Sequence, residues 1–346
     1  MAMTTGRSAA RDTGVVVILG ALLVLSLPLV ADTNMLTLLV IYGMLALSLG
    51  LIWGFGGILC FGQAAFFGLG AYTFAIAGIN IGESTLPLVL SVLVPAAVAA
   101  LLGAFMFYGR LGDVYLAVIT LVFSLILFRW LNTTAGPAYV IGNARLGGFN
   151  GIPGFPLLNV PGYPRWELWG DPLYYVAAVA LLVAFLLVSW LLRSSFGRIA
   201  IGIRENEERV SLLGYDIRAR KTVLFAIGAG IAGLAGALFA AWAEVVTPTL
   251  FSLQQSAEII IWCIVGGLGT RFGPVLGAAV VTSVKITLGG QAMLDNMLVL
   301  GLILVLFVLF LPRGIAPELA RLWAWAIGGN RKPARRRAPR GGIADG

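Results

Sequence analysis

Lys221–Ala243 reads KTVLFAIGAGIAGLAGALFAAWA, apolar or glycine from its third residue to its last. About 20 such residues carry a helix across roughly 30 Å of hydrocarbon, so the stretch predicts a transmembrane helix. Ala229, Gly233, Ala237 and Ala241 recur every four residues, and Ala232, Gly236 and Ala240 form the adjoining stripe. Lipid supplies little hydrophobic drive between helices, so helix association in a bilayer depends on close van der Waals contact, which small residues allow. The two stripes predict two closely packed neighbours. A static contact and a moving interface both fit the pattern.

The rest of the chain has the same character. It is 346 residues long, 60% hydrophobic and only 11% charged, with a mean hydropathy of +0.97. Soluble domains carry about a quarter charged residues, so this chain has too few to present a wetted surface. The expected fold is all-α, a polytopic transmembrane bundle of about ten spans (eight to eleven). They are placed near 14–31, 35–54, 58–80, 86–107, 113–133, 172–193, 221–243, 252–269, 272–290 and 293–312. Asp32-Thr33-Asn34, Ser84-Thr85 with Pro87, and Asp171-Pro172 supply helix-start signals. The stretch 252–290 reads as two spans or as a re-entrant hairpin. The first apolar run ends in Asp32-Thr33-Asn34 rather than a small-residue cleavage site, which argues against a cleaved signal peptide.

Orientation follows from Lys and Arg in short loops. The 194–220 segment and the tail after Pro312 are rich in Arg, and Arg7, Arg11 and Arg110 fall on the same side. This gives a cytoplasmic N-terminus (1–13), a membrane domain (14–312), a cytoplasmic loop (194–220), and a basic cytoplasmic tail (313–346) expected to be disordered from about residue 328. The 134–171 segment then lies outside, with Arg145 and Arg165 as exceptions to the charge bias. Its glycines and prolines forbid a continuous helix. Phe149, Phe155, Tyr163, Trp166 and Trp169 suit either a water–lipid interface or a docking surface. The net charge of +8 follows from this topology and does not argue for nucleic-acid binding.

Cys60 and Cys263 lie in apolar segments and read as small hydrophobes, and the chain has no histidine. No catalytic residue, cofactor or metal site is expected. Gln63 is the strongest hydrogen-bonding side chain at the start of the 58–80 segment, where Ala64, Gly68, Ala71 and Ala75 share a face. An unpaired amide is costly in hydrocarbon, so Gln63 either ties helices together or lines a solute path. Glu258 and Lys285 face the same choice, as a pair across the 252–290 hairpin or as part of a polar cluster with Gln254, Gln255 and Ser256. Ile52-Trp53, Gly56-Gly57 and Phe61-Gly62 are faintly echoed by Ile261-Trp262, Gly266-Gly267 and Phe272-Gly273, as expected for a transporter built from two related halves. The candidates for pathway lining are Gln63, Gly68, Tyr72, Glu258, Gly266 and Gly267.

Ile203–Lys221, IRENEERVSLLGYDIRARK, is an island of charge between two spans. Glu205 and Arg209 are spaced i, i+4 for a short helix, Val210, Leu212 and Leu213 supply apolar contact, and Gly214 sits where that helix would stop. A solvated loop helix and a lever gripped by another protein both fit.

GQAAFFGLGAY, the charged island followed by FAIGAGIAGLAGALFA, and IVGGLGTRFGPVLGA resemble the inner-membrane permeases of ABC importers for branched-chain amino acids, most closely the Liv-type M subunit family. The resemblance runs from about Tyr42 to Gly314. Glu208 and Gly214 match the Glu and Gly of the importer coupling motif Glu-Ala-Ala-x-x-x-Gly, with Arg209 and Val210 in place of the alanines. It implies ATPase-coupling roles for Arg204, Glu205, Glu208, Arg209, Leu212 and Gly214. It also implies two cytoplasmic ATP-binding subunits, a second related permease, a periplasmic substrate-binding protein and a bacterial inner membrane. The chain has no G-x-x-x-x-G-K-[ST] loop of its own. A family member for urea or short amides, and a secondary carrier or channel working alone, are the alternative expectations.

Overall fold

The computed structural model describes residues 31–160, 163–289 and 314–319, with Pro28, Gly301 and Val305 besides. The spans placed near 14–31 and 293–312 and the basic tail lie outside the described residues, but for the few positions just named. Within them every other expected span is a helix. α1 runs Thr33–Leu49 and continues without a break as a π turn, Gly50–Phe55. α2 is Gln63–Ile81, α3 Thr85–Tyr108, α4 Asp113–Thr133 and α5 Asp171–Arg193. Two short helices follow, α6 (Ser195–Glu205) and α7 (Glu207–Leu212), and then α8 (Ile217–Ala243). α9 (Leu253–Gly266) and α10 (Gly273–Gly289) form the 252–290 hairpin. Six of these, counting Thr33–Phe55 as one, are long and apolar enough to cross a membrane. α9 has 14 residues, about 21 Å at 1.5 Å per residue, and falls short of the hydrocarbon thickness on its own.

The start signals are used in part. Asp32 Oδ1 accepts from the Asn34 amide and Asp216 Oδ1 from Arg218 and Ala219, so α1 and α8 are capped by their own sequence. Asp171 stands one residue inside α5, after Gly170. Ser84 does not cap α3. Its hydroxyl instead binds Asn159, accepting from the Asn159 amide at 2.8 Å and donating to the Asn159 carboxamide. The expected local cap has become a tertiary tie.

α8 is the centre of the bundle. In α8 and α1, 72% of the apolar window is buried, against 22% in α3 and 28% in α4, so the first pair is interior and the second lies at the periphery of the bundle. Both small-residue stripes of α8 are in contact. The carbonyl of Gly233 lies against Gly70 of α2, and its own Cα faces the Ser91 carbonyl and the Pro95 ring of α3. Pro95 has no amide hydrogen to return to Ser91; the carbonyl it frees is turned toward a glycine Cα–H, a recurrent weak contact between close helices. Gly236 lies against the Phe67 carbonyl and Ala71 of α2, and Gly228 against Ile52. Phe66, Phe225 and Phe107 pack edge to face around this centre.

The helices divide their connections between two faces. On one lie the ends of α1, α3, α5 and α9 with α6 and α7; there Arg204 meets Gly54, and Gly314 meets Gly267. On the other lies the 134–171 segment, which is folded rather than irregular. It holds three two-stranded antiparallel pairs: β1 (Val140–Ile141) with β2 (Ala144–Arg145), β4 (Asn159–Val160) with β5 (Tyr163–Glu167), and β3 (Ile152–Pro153) with β6 (Val245–Val246), beyond the end of α8. Asn80 at the end of α2 donates to the Ile141 carbonyl and accepts from Asn143. Of the five aromatics expected at its surface, Phe149, Tyr163, Trp166 and Trp169 are exposed. Phe155 is instead buried edge to face against Phe74.

Candidate functional site

The charged island is two helices. The chain turns at Asn206 (φ −162°, ψ 100°), whose carboxamide oxygen accepts from the Arg209 amide and caps α7. The expected Glu205–Arg209 pair on one continuous helix is therefore corrected: the break falls between them, and an i, i+4 contact needs an unbroken turn. The ion pair that does form is Glu207–Lys221, at 2.6 Å, joining α7 to the start of α8. Ile203, Val210 and Ile217, with Ile199, make a small apolar cluster that pins the two short helices to α8. Gly214 terminates the element at φ +81°, a conformation glycine adopts freely.

Beyond that cluster the segment is exposed. Glu205, Glu208 and Arg209 are exposed, and Leu212 and Leu213 are 82% and 72% exposed. Leu212, at the end of the capped and pinned α7, and Leu213 beside it are left uncovered by the rest of the described chain. A cleft of about 720 Å³ separates this segment from the turn between α3 and α4, with Arg110, Asp113, Glu207, Glu208, Arg218 and Lys221 on its walls. Arg204 differs from the other five island residues. Its guanidinium turns into the bundle and donates to the Gly54 carbonyl.

The six candidate lining residues fall in four places. Gln63 is buried between three helices: its Nε2 donates to Ser48 Oγ of α1 at 2.7 Å and lies 3.5 Å from the Gly228 carbonyl of α8. Its Oε1 is 3.7 Å from the Cys60 thiol. Here the amide ties helices together.

Gly68 and Tyr72 share one face of α2 and hold the ring of Phe251. A Cβ on Gly68 would come within 2.5–2.7 Å of that ring, and the Tyr72 and Phe251 centroids are 5.5 Å apart. Phe251 ends a 3-10 turn, Pro248–Phe251, that leads into α9, and its carbonyl accepts from Ser124 of α4. This aromatic wedge could not be placed from the sequence, because nothing local to Phe251 names its partners.

Glu258 forms an ion pair with Lys285 of α10 at 2.6 Å. Its side chain is 5% exposed and that of Lys285 27%. Gln254 lies 3.4 Å away along α9. The Tyr72 hydroxyl, Gln255 Nε2, Ser256 Oγ and Thr282 Oγ1 are buried without a hydrogen-bond partner among the described residues. Gly266 and Gly267 are elsewhere, in the tight turn between α9 and α10, where Gly266 meets the Gly273 carbonyl and Gly267 meets Gly314.

A family profile and several known proteins match this chain. The profile of the family described as branched-chain amino acid transport system / permease component matches residues 33–311. The high-affinity branched-chain amino acid transport system permease protein LivM of Escherichia coli K12 is 32% identical over 310 residues, covering 81% of this chain and 69% of LivM. LivM of Salmonella typhimurium is 32% identical, covering 83% of this chain and 70% of its own length. The xylose transport system permease protein XylH of Haemophilus influenzae is 31% identical over a shorter region, 36% of this chain and 32% of XylH. No solved structure matches.

Proposed function

The chain belongs to the family of branched-chain amino acid transport permeases, and from that premise we propose that it forms half of the translocation pathway of an ATP-driven importer in a bacterial inner membrane. A second related permease completes the pathway, two cytoplasmic ATP-binding subunits drive it, and a periplasmic binding protein delivers a branched-chain or related amino acid. The membrane domain has about ten spans, with the α6–α7 face and the basic tail in the cytoplasm and the 134–171 face outside. The positive-inside bias of the loops supports this orientation.

One observation carries the proposal: α7 presents Leu212 and Leu213 to water while its other side is fixed to α8 through Val210 and the Glu207–Lys221 pair. A surface that is both sticky and mechanically attached can receive a push. In the proposed cycle, ATP binding closes the ATPase pair around α6–α7, the displacement passes to α8 and its neighbours, and hydrolysis resets them. Glu205, Glu208, Arg209, Leu212 and Gly214 form the gripped surface. Gly68, Tyr72 and Glu258 line the outer half of the route, where partnerless buried polar atoms offer hydrogen bonds to a passing zwitterion, and Gly266 and Gly267 shape its inner end. Gln63 holds α1, α2 and α8 in register beside it.

The test is substitution on the gripped surface. Glu208→Lys and Leu212→Asp should each leave membrane insertion and thermal stability unchanged, since both residues are exposed, yet lower co-purification of the ATP-binding subunits and leucine uptake at least about tenfold, the equivalent of 1.4 kcal/mol. Unchanged co-purification and uptake in both variants would reduce α7 to a solvated loop helix.

A further inference from the structure

Arg204 occupies the last turn of α6, immediately before the chain turns at Asn206. Two segments from distant parts of the sequence meet around its side chain, the end of α1 and the turn between α9 and α10. Nη1 donates to the carbonyl of Gly54, inside the π turn that ends α1. Its aliphatic stem lies over Gly57 (φ +69°), where a Cβ would stand 3.0 Å from Arg204 Cγ and 3.2 Å from its Cβ. Nη1 also lies 3.1 Å from where a Cβ of Gly269 (φ +80°) would be, in the turn between α9 and α10. Gly54 and Gly269 touch each other as well: a Cβ on Gly54 would sit 3.0 Å from the Gly269 amide nitrogen. Gly54 and Gly269 bring backbone to the guanidinium, and Gly57 brings it to the aliphatic stem, with no side chain between.

The chemistry suits a mechanical joint. The last carbonyls of a helix lack intrahelical donors and carry the negative end of its dipole, so a cation there is favoured. A π turn is a local departure from α geometry, found frequently at functional sites. The guanidinium is a rigid planar fork with several donors, whereas an ammonium is a single point charge on a flexible stem. Arg204 is exposed as a residue while its guanidinium reaches inward to the Gly54 carbonyl, so it links the exposed segment to the bundle.

We infer that Arg204 is the positioning residue through which displacement of α6–α7 is passed to the inner ends of α1 and of the α9–α10 turn. This rests on the proposal that α6–α7 is the segment gripped by the ATP-binding subunits. It departs from the sequence expectation that Arg204 belongs to the docking surface itself. The turn it touches carries Gly266 and Gly267, so movement of the guanidinium reaches the inner mouth of the proposed route directly.

The experiment uses the complete transporter in lipid nanodiscs, with and without a non-hydrolysable ATP analogue, read by hydrogen exchange of backbone amides. In the unaltered protein, nucleotide should change exchange in α6–α7 and also in residues 50–57 and 267–272. In Arg204→Gln, the change in α6–α7 should persist while that in 50–57 and 267–272 is lost. Co-purification of the ATP-binding subunits should be unaltered, and solute moved per ATP hydrolysed should fall at least about tenfold. Arg204→Lys, which keeps the charge and one donor, should recover part of both readouts, and it stands in if the glutamine variant does not accumulate. Retention of the distant exchange change and of normal solute-per-ATP stoichiometry in the variants would overturn the inference. Absence of any nucleotide effect on α6–α7 in the unaltered protein would instead remove the gripping proposal, and the inference with it.

Discussion

Gly233→Leu should prevent the bundle from assembling. Gly233 is the point at which α8 touches two helices at once, with Gly70 of α2 against its carbonyl and Ser91 and Pro95 of α3 against its Cα. A Cβ at this position would stand 2.7 Å from Pro95 Cγ and closer still to the Ser91 carbonyl oxygen. The obstruction is backbone and a proline ring, neither of which can rotate away. Overpacking in a core costs about 1–3 kcal/mol when side chains can adjust, and here they cannot, so the cost should reach or exceed the top of that range. Thermal unfolding of the purified protein in detergent, or its recovery as a monodisperse species, measures it. Leu101→Phe on the lipid-facing side of α3, where Leu101 is 74% exposed, is the control and should behave as the unaltered protein. A normally stable Gly233→Leu variant would mean that α2, α3 and α8 are not packed as described.

Lys285→Ala should be the other severe change, and more severe than Glu258→Ala. Removing one partner of a buried ion pair costs about 3–5 kcal/mol because the remaining charge is left uncompensated. The two partners are not equally buried. Glu258, with a side chain 5% exposed, is the more deeply buried partner and is left less solvated in this conformation when Lys285 is gone, whereas Lys285, 27% exposed, can extend its stem toward the surface when Glu258 is gone. The expected order of stability is the unaltered protein and Glu258→Leu/Lys285→Met together highest, Glu258→Ala lower and Lys285→Ala lowest. Thermal unfolding reads this order directly. Equal losses for the two single variants would show that both groups reach water.

The features legible in the sequence are those for which the bilayer leaves few alternatives. A helix must supply about 20 apolar residues to cross, so the helices from Thr33 to Gly289, six of them long and apolar enough to span, stand close to where the apolar runs placed them. Close approach in lipid needs small residues, so the stripes of α8 announced the contacts that Gly233 and Gly236 make. Gly214 as a helix stop and Asp32 as a cap were legible because each acts on its own neighbours. The π turn at Gly50–Phe55 was not, since its sequence is compatible with ordinary helix. The break at Asn206 left a sign that the i, i+4 spacing of Glu205 and Arg209 overrode: an asparagine followed by Glu207 and Glu208 is itself a helix start. Ser84 shows the converse, a residue with a good local use taken for a distant one. Arg204 was grouped with its charged neighbours because its partner is a main-chain carbonyl 150 positions away, and no side-chain pattern points to a carbonyl. The small strands of the 134–171 segment were hidden for a related reason, being two to five residues long and partly paired with a segment beyond α8.

In the proposed cycle this chain is moved by its partners through α6–α7. The most direct measurement is leucine uptake against a gradient into liposomes, comparing the chain alone with the chain plus a second permease, ATP-binding subunits and a binding protein. Accumulation should occur only in the full set and only with ATP. Uphill uptake by the chain alone, driven by an ion gradient, would contradict the account.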